Sequence, residues 1–485
     1  MKKLKVIIQQ LGEEEFHELV AQLKETRAKK YFSLLKCYRE ANHSEQEIAR
    51  KLAVTKTAYH TLKSRLYHKV QDFLFEKLEP PRIHILGNVA NIHTLIYNTP
   101  RDTAIAILKK LERELIRYDM PNELTIVYSA LKRMHVTTPK LYEYSQLYNR
   151  NLAFMVSLDS SRDLLFRFTK ALGQYLASRN PKMIELFVLM KSEMNNLFKV
   201  YESHHLTLYK NIFNISFALF VPAPASEDSE ETIERMLAES WKIIADNPID
   251  LNYKYLQLVI DFLAFEYYHG LKLVPDSTPY FVKVNSQLDT FLLADHCCVV
   301  TQFLFSKAER YAELGKGPEL EEENRKMLSE INKEDAPDYI NLMLYHAVSL
   351  FYGRRYSDAA VILNKLLQGL GLKNYGHAEM EIKLFLAFNY VLLKKPENAE
   401  ILLLSLARKQ NGSEEAKYKN TRELTKILKL LTGSRYTAKV TEEKVRQLRD
   451  SHYMNNVGEY RVLHFLKLND DLIVELSNSG PRVKG

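Results

Sequence analysis

The feature that most constrains this chain is an internal repeat between Ala336 and Gln410. When this stretch is shifted by 40 residues, small and apolar residues fall on residues of the same kind. The matched pairs are Leu344 with Leu384, Ala347 with Ala387, Ala359 with Ala399, Leu363 with Leu403 and Leu366 with Leu406. Within each copy these residues recur three or four positions apart, which predicts two amphipathic helices per copy. A fixed spacing of this size predicts helix hairpins that stack on one another.

Turn-forming residues separate the two helices of each copy, and a third copy precedes them. The turns are predicted at Gly353 to Ser357 and at Lys394-Lys395-Pro396, because Gly often follows a helix end and Pro often begins a helix. The third copy lies 39 residues upstream of the first. It aligns Phe305, Ala308, Tyr311, Leu320 and Met327 with Leu344, Ala347, Leu350, Ala359 and Leu366. Three hairpins are enough to form a stack with a shared core.

The small and aromatic positions of the copies resemble those of the tetratricopeptide repeat family. The resemblance rests on seven residues: Ala347, Gly353, Tyr356, Ala359, Ala387, Tyr390 and Ala399. It covers about a sixth of the chain, with a spacing of 40 residues where the family has about 34, and neither copy has the family's closing proline. The resemblance implies stacked hairpins, and such stacks present a curved surface for a partner.

Composition extends the helical prediction to the whole chain. Only 15 of the 485 residues are Gly and 15 are Pro, which leaves little turn chemistry for a β protein. Alternation of apolar and polar residues, which is typical of strands, is almost absent. The predicted fold class is all-α: a helical-repeat (tetratricopeptide-like) superhelix with an N-terminal helical segment.

Proline positions and a change in composition predict the domain boundaries. Pro80-Pro81 ends a long helical pattern, and the stretch from Val221 to Glu231 replaces apolar periodicity by proline, small residues and acids. The predicted parts are an N-terminal helical segment (1–79), a helical array (80–221), a linker (222–231), the repeats (232–439) and a C-terminal segment (440–485). In the last part we predict a helix from Tyr460 to Leu468, with a strand paired to Leu472 to Leu476 as the alternative.

A second recognisable stretch lies near the N-terminus. Ser44 and Glu47 have the spacing of a helix capping box. The residues after them resemble the helix-turn-helix of LuxR-type regulators, with Ala53 and the bulky Tyr59 as departures. The resemblance implies a buried elbow of Ile48, Ala49, Leu52 and Val54, followed by a recognition helix containing Thr57, Ala58, Tyr59, His60, Thr61, Leu62 and Lys63.

The same stretch is rich in basic residues. No Asp or Glu occurs between residues 48 and 71, and positive charge of this kind supplies non-specific affinity for the phosphates of DNA. The candidate nucleic-acid-binding residues are Arg50, Lys51, Lys56, Lys63, Arg65 and Lys69. The alternative is a long core helix that continues through Leu66, Val70, Phe73, Leu74 and Leu78. The DNA-binding hypothesis fails if Tyr59 and His60 are packed under the next helix pair.

Few patterns in the chain point to catalysis, metals or cofactors. Gly315 to Pro318 lacks the residues of a phosphate-binding loop and is predicted to be a turn. Asp295-His296-Cys297-Cys298 cannot all face one ion from a helix, and His204-His205 is predicted to be an interhelical surface pair. Cys37 with Cys297 and Cys298 cannot form a disulfide framework. We therefore expect no enzyme activity, no metal and no small-molecule cofactor.

Charge and hydropathy favour a cytoplasmic protein that binds another protein. The net charge of +8 is modest for 485 residues, and the longest apolar candidate, Ile212 to Val221, is about half of the ~20 residues that span a bilayer. We expect no membrane association. A fraction of the 29 tyrosines is expected to line a binding surface. The leading hypothesis is a non-enzymatic scaffold for a peptide or protein partner, and the alternative is a DNA-binding transcription regulator with a helix-turn-helix at 44–70 and a repeat sensor array.

Overall fold

A computed structural model describes most of the chain. The described residues are 4, 7–8, 11–25, 29–39, 45–52, 54–76, 80–201, 203–222, 232–247, 251–292, 299–327, 336–369, 371–410, 419–433, 437–456 and 461–480. Within these ranges the secondary structure is helical and no strand occurs, so the fold class is all-α. Several predicted features lie outside the described residues: Ser44, Ala53, Leu78, the linker residues 223–231, Asp295 to Cys298, Tyr460, and the side chains of Lys56, Leu74 and Met327.

The chain divides into two compact units, Met1–Leu147 and Tyr148–Gly485. The helices that begin in the first unit are α1 (Glu13–Glu25), α2 (Lys29–Arg39), α3 (Glu45–Lys51), α4 (Lys56–Glu76), α5 (Pro80–Ala90), α6 (Ile92–Asn98), α7 (Arg101–Arg117), α8 (Pro121–Met134) and α9 (Lys140–Ser178). The first unit contains a core formed by α1 to α4, with Leu34, Tyr38, Tyr59 and Leu66 at its centre.

The second unit contains the predicted repeats. Its further helices are α10 (Lys182–Val200), α11 (His204–Phe220), α12 (Ile233–Asp246), α13 (Leu251–Gly270), α14 (Val274–Ser286), α15 (Leu288–Phe291), α16 (Val300–Glu313), α17 (Gly317–Met327), α18 (Ala336–Tyr352), α19 (Tyr356–Gly369), α20 (Gly376–Leu392), α21 (Pro396–Gln410), α22 (Arg422–Thr432), α23 (Ala438–Asn455) and α24 (Asp470–Ser479). No described helix is both long enough and apolar enough to span a membrane.

The three predicted hairpins are confirmed as α16–α17, α18–α19 and α20–α21. Helices α18 and α20 begin at Ala336 and Gly376, and α19 and α21 begin at Tyr356 and Pro396, so both pairs keep the predicted offset. The packing alanines Ala347, Ala359, Ala387 and Ala399 are all fully buried. Because alanine has no side chain beyond Cβ, neighbouring helix backbones approach closely at these positions.

One type of turn closes all three hairpins. The second residue after each first helix adopts a left-handed backbone, with φ of 68° at Gly315, 59° at Arg354 and 58° at Lys394. The next amide then donates to a carbonyl five residues back, an arrangement that satisfies the last carbonyls of a helix. These bonds are Lys316 to Tyr311, Arg355 to Leu350 and Lys395 to Tyr390, at 2.9, 2.8 and 2.9 Å. The predicted turns are confirmed, but in the middle hairpin Arg354 is the left-handed residue and not its neighbour Gly353.

The same turn marks two hairpins that the sequence pattern did not reveal. Lys272 joins α13 to α14 with φ of 60°, and in the first unit Asp119 joins α7 to α8 with φ of 53°. Neither residue is the glycine that usually announces such a turn. These hairpins were therefore predicted only as separate helices.

The described residues between α23 and α24 do not form a helix, so the prediction of a helix from Tyr460 to Leu468 is wrong for residues 461–468. Residues 461–469 are irregular, with a single turn in which Leu466 N–H donates to Leu463 O at 2.9 Å. The strand alternative is wrong too, because Leu472 to Leu476 lies in α24. The Asn469 side chain accepts the Leu472 N–H at 2.9 Å and starts that helix.

Candidate functional site

The irregular stretch Arg461–Leu468, called here the crossing segment, is buried despite having no regular structure. Five of its side chains are at most 4% exposed: Val462, Leu463, Phe465, Leu466 and Leu468. It contacts α16, α18 and α20, which are the first helices of the three successive hairpins. A buried segment without a helix or strand must find partners for its main-chain polar groups elsewhere.

The Tyr352 hydroxyl binds the main chain of the crossing segment on two sides. It donates to Phe465 O at 2.6 Å and accepts from Lys467 N–H at 3.0 Å. Tyr352 is the last residue of α18. Burial raises the pKa of Tyr352 above its ordinary value, so the hydroxyl stays protonated and can both donate and accept.

Three further side chains bind main-chain groups of the segment. Glu381 of α20 accepts from Leu463 N–H at 2.8 Å, and burial raises the pKa of Glu381 to about 7. The Tyr453 hydroxyl accepts from Leu468 N–H at 2.8 Å. Asn456 both donates to Val462 O and accepts from Val462 N–H, at 2.8 Å each. Side chains therefore replace the hydrogen bonds that a helix or sheet would supply.

Two aromatic rings from different hairpins enclose Phe465. The Phe305 ring of α16 stacks on Phe465 with centroids 5.4 Å apart, and the Phe385 ring of α20 meets it edge-on at 5.5 Å. Such aromatic pairs contribute about 0.5–1.5 kcal/mol beyond their buried area. We call this enclosure the aromatic clamp.

An acidic pair on α16 holds Lys467 of the segment. The Lys467 ammonium forms ion pairs with Glu309 and, at 3.2 Å, with Glu313. His269 Nε2 lies 3.8 Å from the other Glu309 oxygen. Burial alone would raise the pKa of Glu309, but the interactions with His269 and Lys467 outweigh it and hold that pKa below its usual range. The carboxylate is thus charged and dependent on its cationic neighbours.

Sequence reasoning missed this site, although the repeat contains a signal for it. Glu309 aligns with Val348 at the 39-residue offset, and Val348 aligns with Phe388 at the 40-residue offset. Val348 and Phe388 are both fully buried. A carboxylate at an apolar repeat position is expensive unless a cation meets it, so such a departure between copies indicates a local partner.

The five predicted basic residues whose side chains the structure describes do not form one surface. Arg50 and Lys51 are exposed at the end of α3, and Arg65 is exposed on α4. Lys63 is only 9% exposed. Lys69 is half-buried, with its ammonium 5.9 Å from the centroid of the Tyr31 ring.

Helix α4 has one buried face and one outward face. Tyr59 is 2% exposed, and its hydroxyl oxygen lies 2.8 Å from that of Tyr38 on helix α2. The next residue, His60, is exposed. The buried face continues through Lys63, Leu66, Val70 and Phe73. Among the α4 side chains that the structure describes, the exposed ones are Thr57, Ala58, His60, Thr61, Ser64, Arg65 and His68. This outward face is polar or basic apart from the small Ala58, and none of these described residues is an acid.

Of the four residues predicted to form the buried elbow, one is buried and three are intermediate. Ile48 is 1% exposed, and Ala49, Leu52 and Val54 are partly buried. The turn is closed by Val54 N–H, which donates to Ala49 O at 3.1 Å.

The remaining candidates have structural explanations. Gly315 is the left-handed residue of a hairpin turn, as predicted for that stretch. The prediction of a surface pair at His204-His205 is wrong for His205, which is 8% exposed and packs on the Tyr253 ring at 5.0 Å. Among the described residues no group of three or more His, Cys, Asp or Glu is placed to hold a metal ion.

Comparison with protein-family models finds no match for this chain, and comparisons with curated proteins and with solved structures find none either.

Proposed function

We propose that the second unit is a non-enzymatic helical-repeat scaffold of the tetratricopeptide-like kind, which binds a protein partner through an extended peptide. The peptide would lie across α16, α18 and α20. The observation that supports this is the crossing segment itself, because these helices already hold an irregular stretch of chain by its backbone. A surface that binds one extended stretch through main-chain groups is suited to binding another.

The contacts to main-chain atoms provide affinity, and the contacts to side chains provide selectivity. Tyr352 and Glu381 bind main-chain atoms, which every peptide presents. The aromatic clamp and the acidic pair bind side chains, which only some peptides present.

The test uses a fluorescein-labelled peptide with the sequence of residues 459–470, called the segment peptide. The full chain would carry Phe465→Ala and Lys467→Glu. These changes weaken the contacts of the crossing segment with its surroundings, and they replace no residue of the helices. We expect saturable binding by fluorescence anisotropy, and a scrambled peptide is the control. Adding Tyr352→Phe should weaken binding about tenfold, since two main-chain hydrogen bonds are lost. Absence of saturable binding to the folded variant would refute the proposal.

A second candidate function is DNA binding by the first unit. The outward face of α4 supports it, because a recognition helix packs one face on its own domain and directs polar and basic side chains into the major groove. In this proposal Arg50 and Arg65 contact phosphates, and Thr57, Thr61 and Ser64 face base edges.

The test is a salt titration of binding between the full chain and a duplex of about 30 base pairs. Replacing Arg50 and Arg65 by Ala should weaken binding and reduce the salt slope by about two units, roughly one for each lost phosphate contact. The matched control is Arg113→Ala with Arg117→Ala, which removes the same charge from exposed positions on α7. Equal slopes for the two double variants would contradict a role for the outward face.

A further inference from the structure

We infer that the crossing segment is an intramolecular ligand that a partner must displace, and that the partner presents an aromatic residue followed two positions later by Lys or Arg. This inference rests on the proposed function and deepens it by naming the class of peptide and the state in which the site is closed. The pattern is that of Phe465 and Lys467, the two residues of the segment that occupy dedicated places.

The aromatic requirement follows from the clamp. The Phe465 ring lies within 5.5 Å of the centroids of both Phe305 and Phe385, which come from two different hairpins. A smaller side chain would leave a cavity between the hairpins, because buried apolar atoms relax only partly around a lost group. A peptide without an aromatic residue at this place would therefore bind much more weakly.

The cation requirement follows from the acidic pair. Glu309 is 14% exposed at its side chain, whereas Glu313 is half exposed. A peptide that covers Glu309 without offering a cation would bury a carboxylate beside His269 alone. Removing one partner of a buried charge pair is strongly unfavourable, so the position of Lys467 selects for Lys or Arg.

Charge complementarity extends beyond this pair. The segment carries Arg461, His464 and Lys467 and contains no acid. The surrounding helices supply four acids that interact with the segment or its neighbours: Glu266, Glu309, Glu313 and Glu381. Burial raises the pKa of Glu266 and of Glu381 to about 7, so these two are only partly charged at neutral pH and the acidic pair carries most of the complementarity. The basic groups beside these acids include His269, which is paired with Glu309, His377, whose Nε2 lies 3.7 Å from Glu381, and Arg179, which interacts electrostatically with Glu381 and His464. An extended peptide with basic residues complements this surface.

Because the segment belongs to the same chain, it competes at a high local concentration. Short flexible tethers give effective concentrations of about 1 mM. A free peptide with the same sequence must overcome this competition, so its apparent Kd for the intact chain should approach the millimolar range. Weakening the internal segment should expose the intrinsic affinity of the site.

The first experiment compares the segment peptide on the intact chain and on the Phe465→Ala/Lys467→Glu chain. We expect binding at least about tenfold tighter to the variant. Equal affinity for the two chains would overturn the inference while leaving the proposed function standing, whereas no binding to either chain would refute the proposed function. If the double variant does not fold, Lys467→Met alone replaces it, with an expected gain of at least about threefold and the same refuting outcome.

The second experiment exchanges charges across the acidic pair. A segment peptide with Glu in place of Lys467 should bind the variant chain at least about tenfold more weakly than the original peptide. Adding Glu313→Lys to a Phe465→Ala/Lys467→Met chain, whose own segment has no charge at position 467, should recover part of that loss for the Glu peptide and weaken the original peptide. Indifference of both peptides to Glu313→Lys, together with equal binding of the Lys and Glu peptides, would overturn the cation requirement.

A second copy of the chain is the remaining occupant to consider. If the crossing segment can leave its own site, the segment of an unlabelled Tyr352→Phe chain at high concentration would bind the open site of the variant chain. Sedimentation would then show a mixed dimer, which supports displacement because it requires the segment to leave its own site.

Discussion

The C-terminal hairpins and the N-terminal helices α1 to α4 bury their residues in different ways. In the hairpins the same small residue recurs at the same repeat position, as with Ala359 and Ala399, which are both fully buried. The N-terminal core instead depends on contacts that occur once, such as the hydrogen bond between the Tyr38 and Tyr59 hydroxyls, whose oxygens lie 2.8 Å apart. A repeated contact can be recognised by comparing the chain with itself, and a contact made once cannot.

Replacing Ala359 or Ala399 by Glu should produce the largest loss of stability. The change tests how strictly the hairpins depend on small residues at these positions. The carboxylate would be buried between helices without a partner, at a cost of about 4 kcal/mol. The matched controls are Val361→Glu and Ile401→Glu, since these residues lie two positions further along the same helices and are 64% and 65% exposed. Urea unfolding measures all four, and equal midpoints would break the contrast drawn here.

Acid should destabilise the C-terminal region through His452, which is 3% exposed. Burial lowers the pKa of His452 to about 4, so between pH 4 and pH 6.5 the unfolded chain binds the extra proton. The contribution of His452 is therefore fully present above its unfolded pKa and is lost as pH falls towards 4, up to about 3 kcal/mol. His452→Gln should flatten this dependence, and His60→Gln on the exposed face of α4 should leave it unchanged. Urea midpoints from pH 4 to pH 7 provide the measurement.

Tyr352→Phe tests whether one hydroxyl holds the crossing segment. The change leaves Phe465 O and Lys467 N–H buried without that partner, which costs about 2 kcal/mol. Tyr356→Phe is the control, because its hydroxyl donates to the Glu475 side chain, outside the crossing segment, at 2.9 Å. Hydrogen exchange at the Lys467 amide should accelerate in the first variant only. Unchanged protection there would mean that the segment is held by its side chains.

The smallest effect is expected in the N-terminal core. Tyr38→Phe and Tyr59→Phe should each cost about 1 kcal/mol, and the double variant should cost less than their sum because the two hydroxyls bond to each other. A double-mutant cycle by urea unfolding measures this coupling. Strict additivity would show that the two rings act independently.

The parts of the fold that were predicted are those in which a residue type repeats. The offset of 40 residues located α18 to α21 because Leu344, Ala347 and their partners are constrained at every copy. The hairpin α13–α14 has the same turn, but Lys272 stands where the α16–α17 turn has Gly315, so no glycine marks the left-handed position itself.

The site could not be predicted because its residues depart from the repeat. Tyr352, Glu309 and Glu381 contact a segment that follows them by at least 80 residues in sequence, and no local pattern records such a contact. The apolar residues of the segment itself suggested a helix, since burial and helical periodicity both select Val, Leu and Phe. Between residues 48 and 71 the sequence reveals the positive charge. It does not reveal the burial of Lys63, because that depends on how α4 packs.

The left-handed turns make the chain less stable than the same fold would be with glycine at these positions. Lys272, Arg354 and Lys394 adopt φ of 60°, 59° and 58°, a conformation that disfavours residues with a Cβ by about 1 kcal/mol each. Gly315 adopts the same conformation without that penalty. Glycine at these three positions would therefore add stability in independent steps without altering the core, the aromatic clamp or the acidic pair. The α16–α17 hairpin shows that this turn accommodates glycine, so the thermal tolerance of the protein can be increased at sites remote from its binding surface.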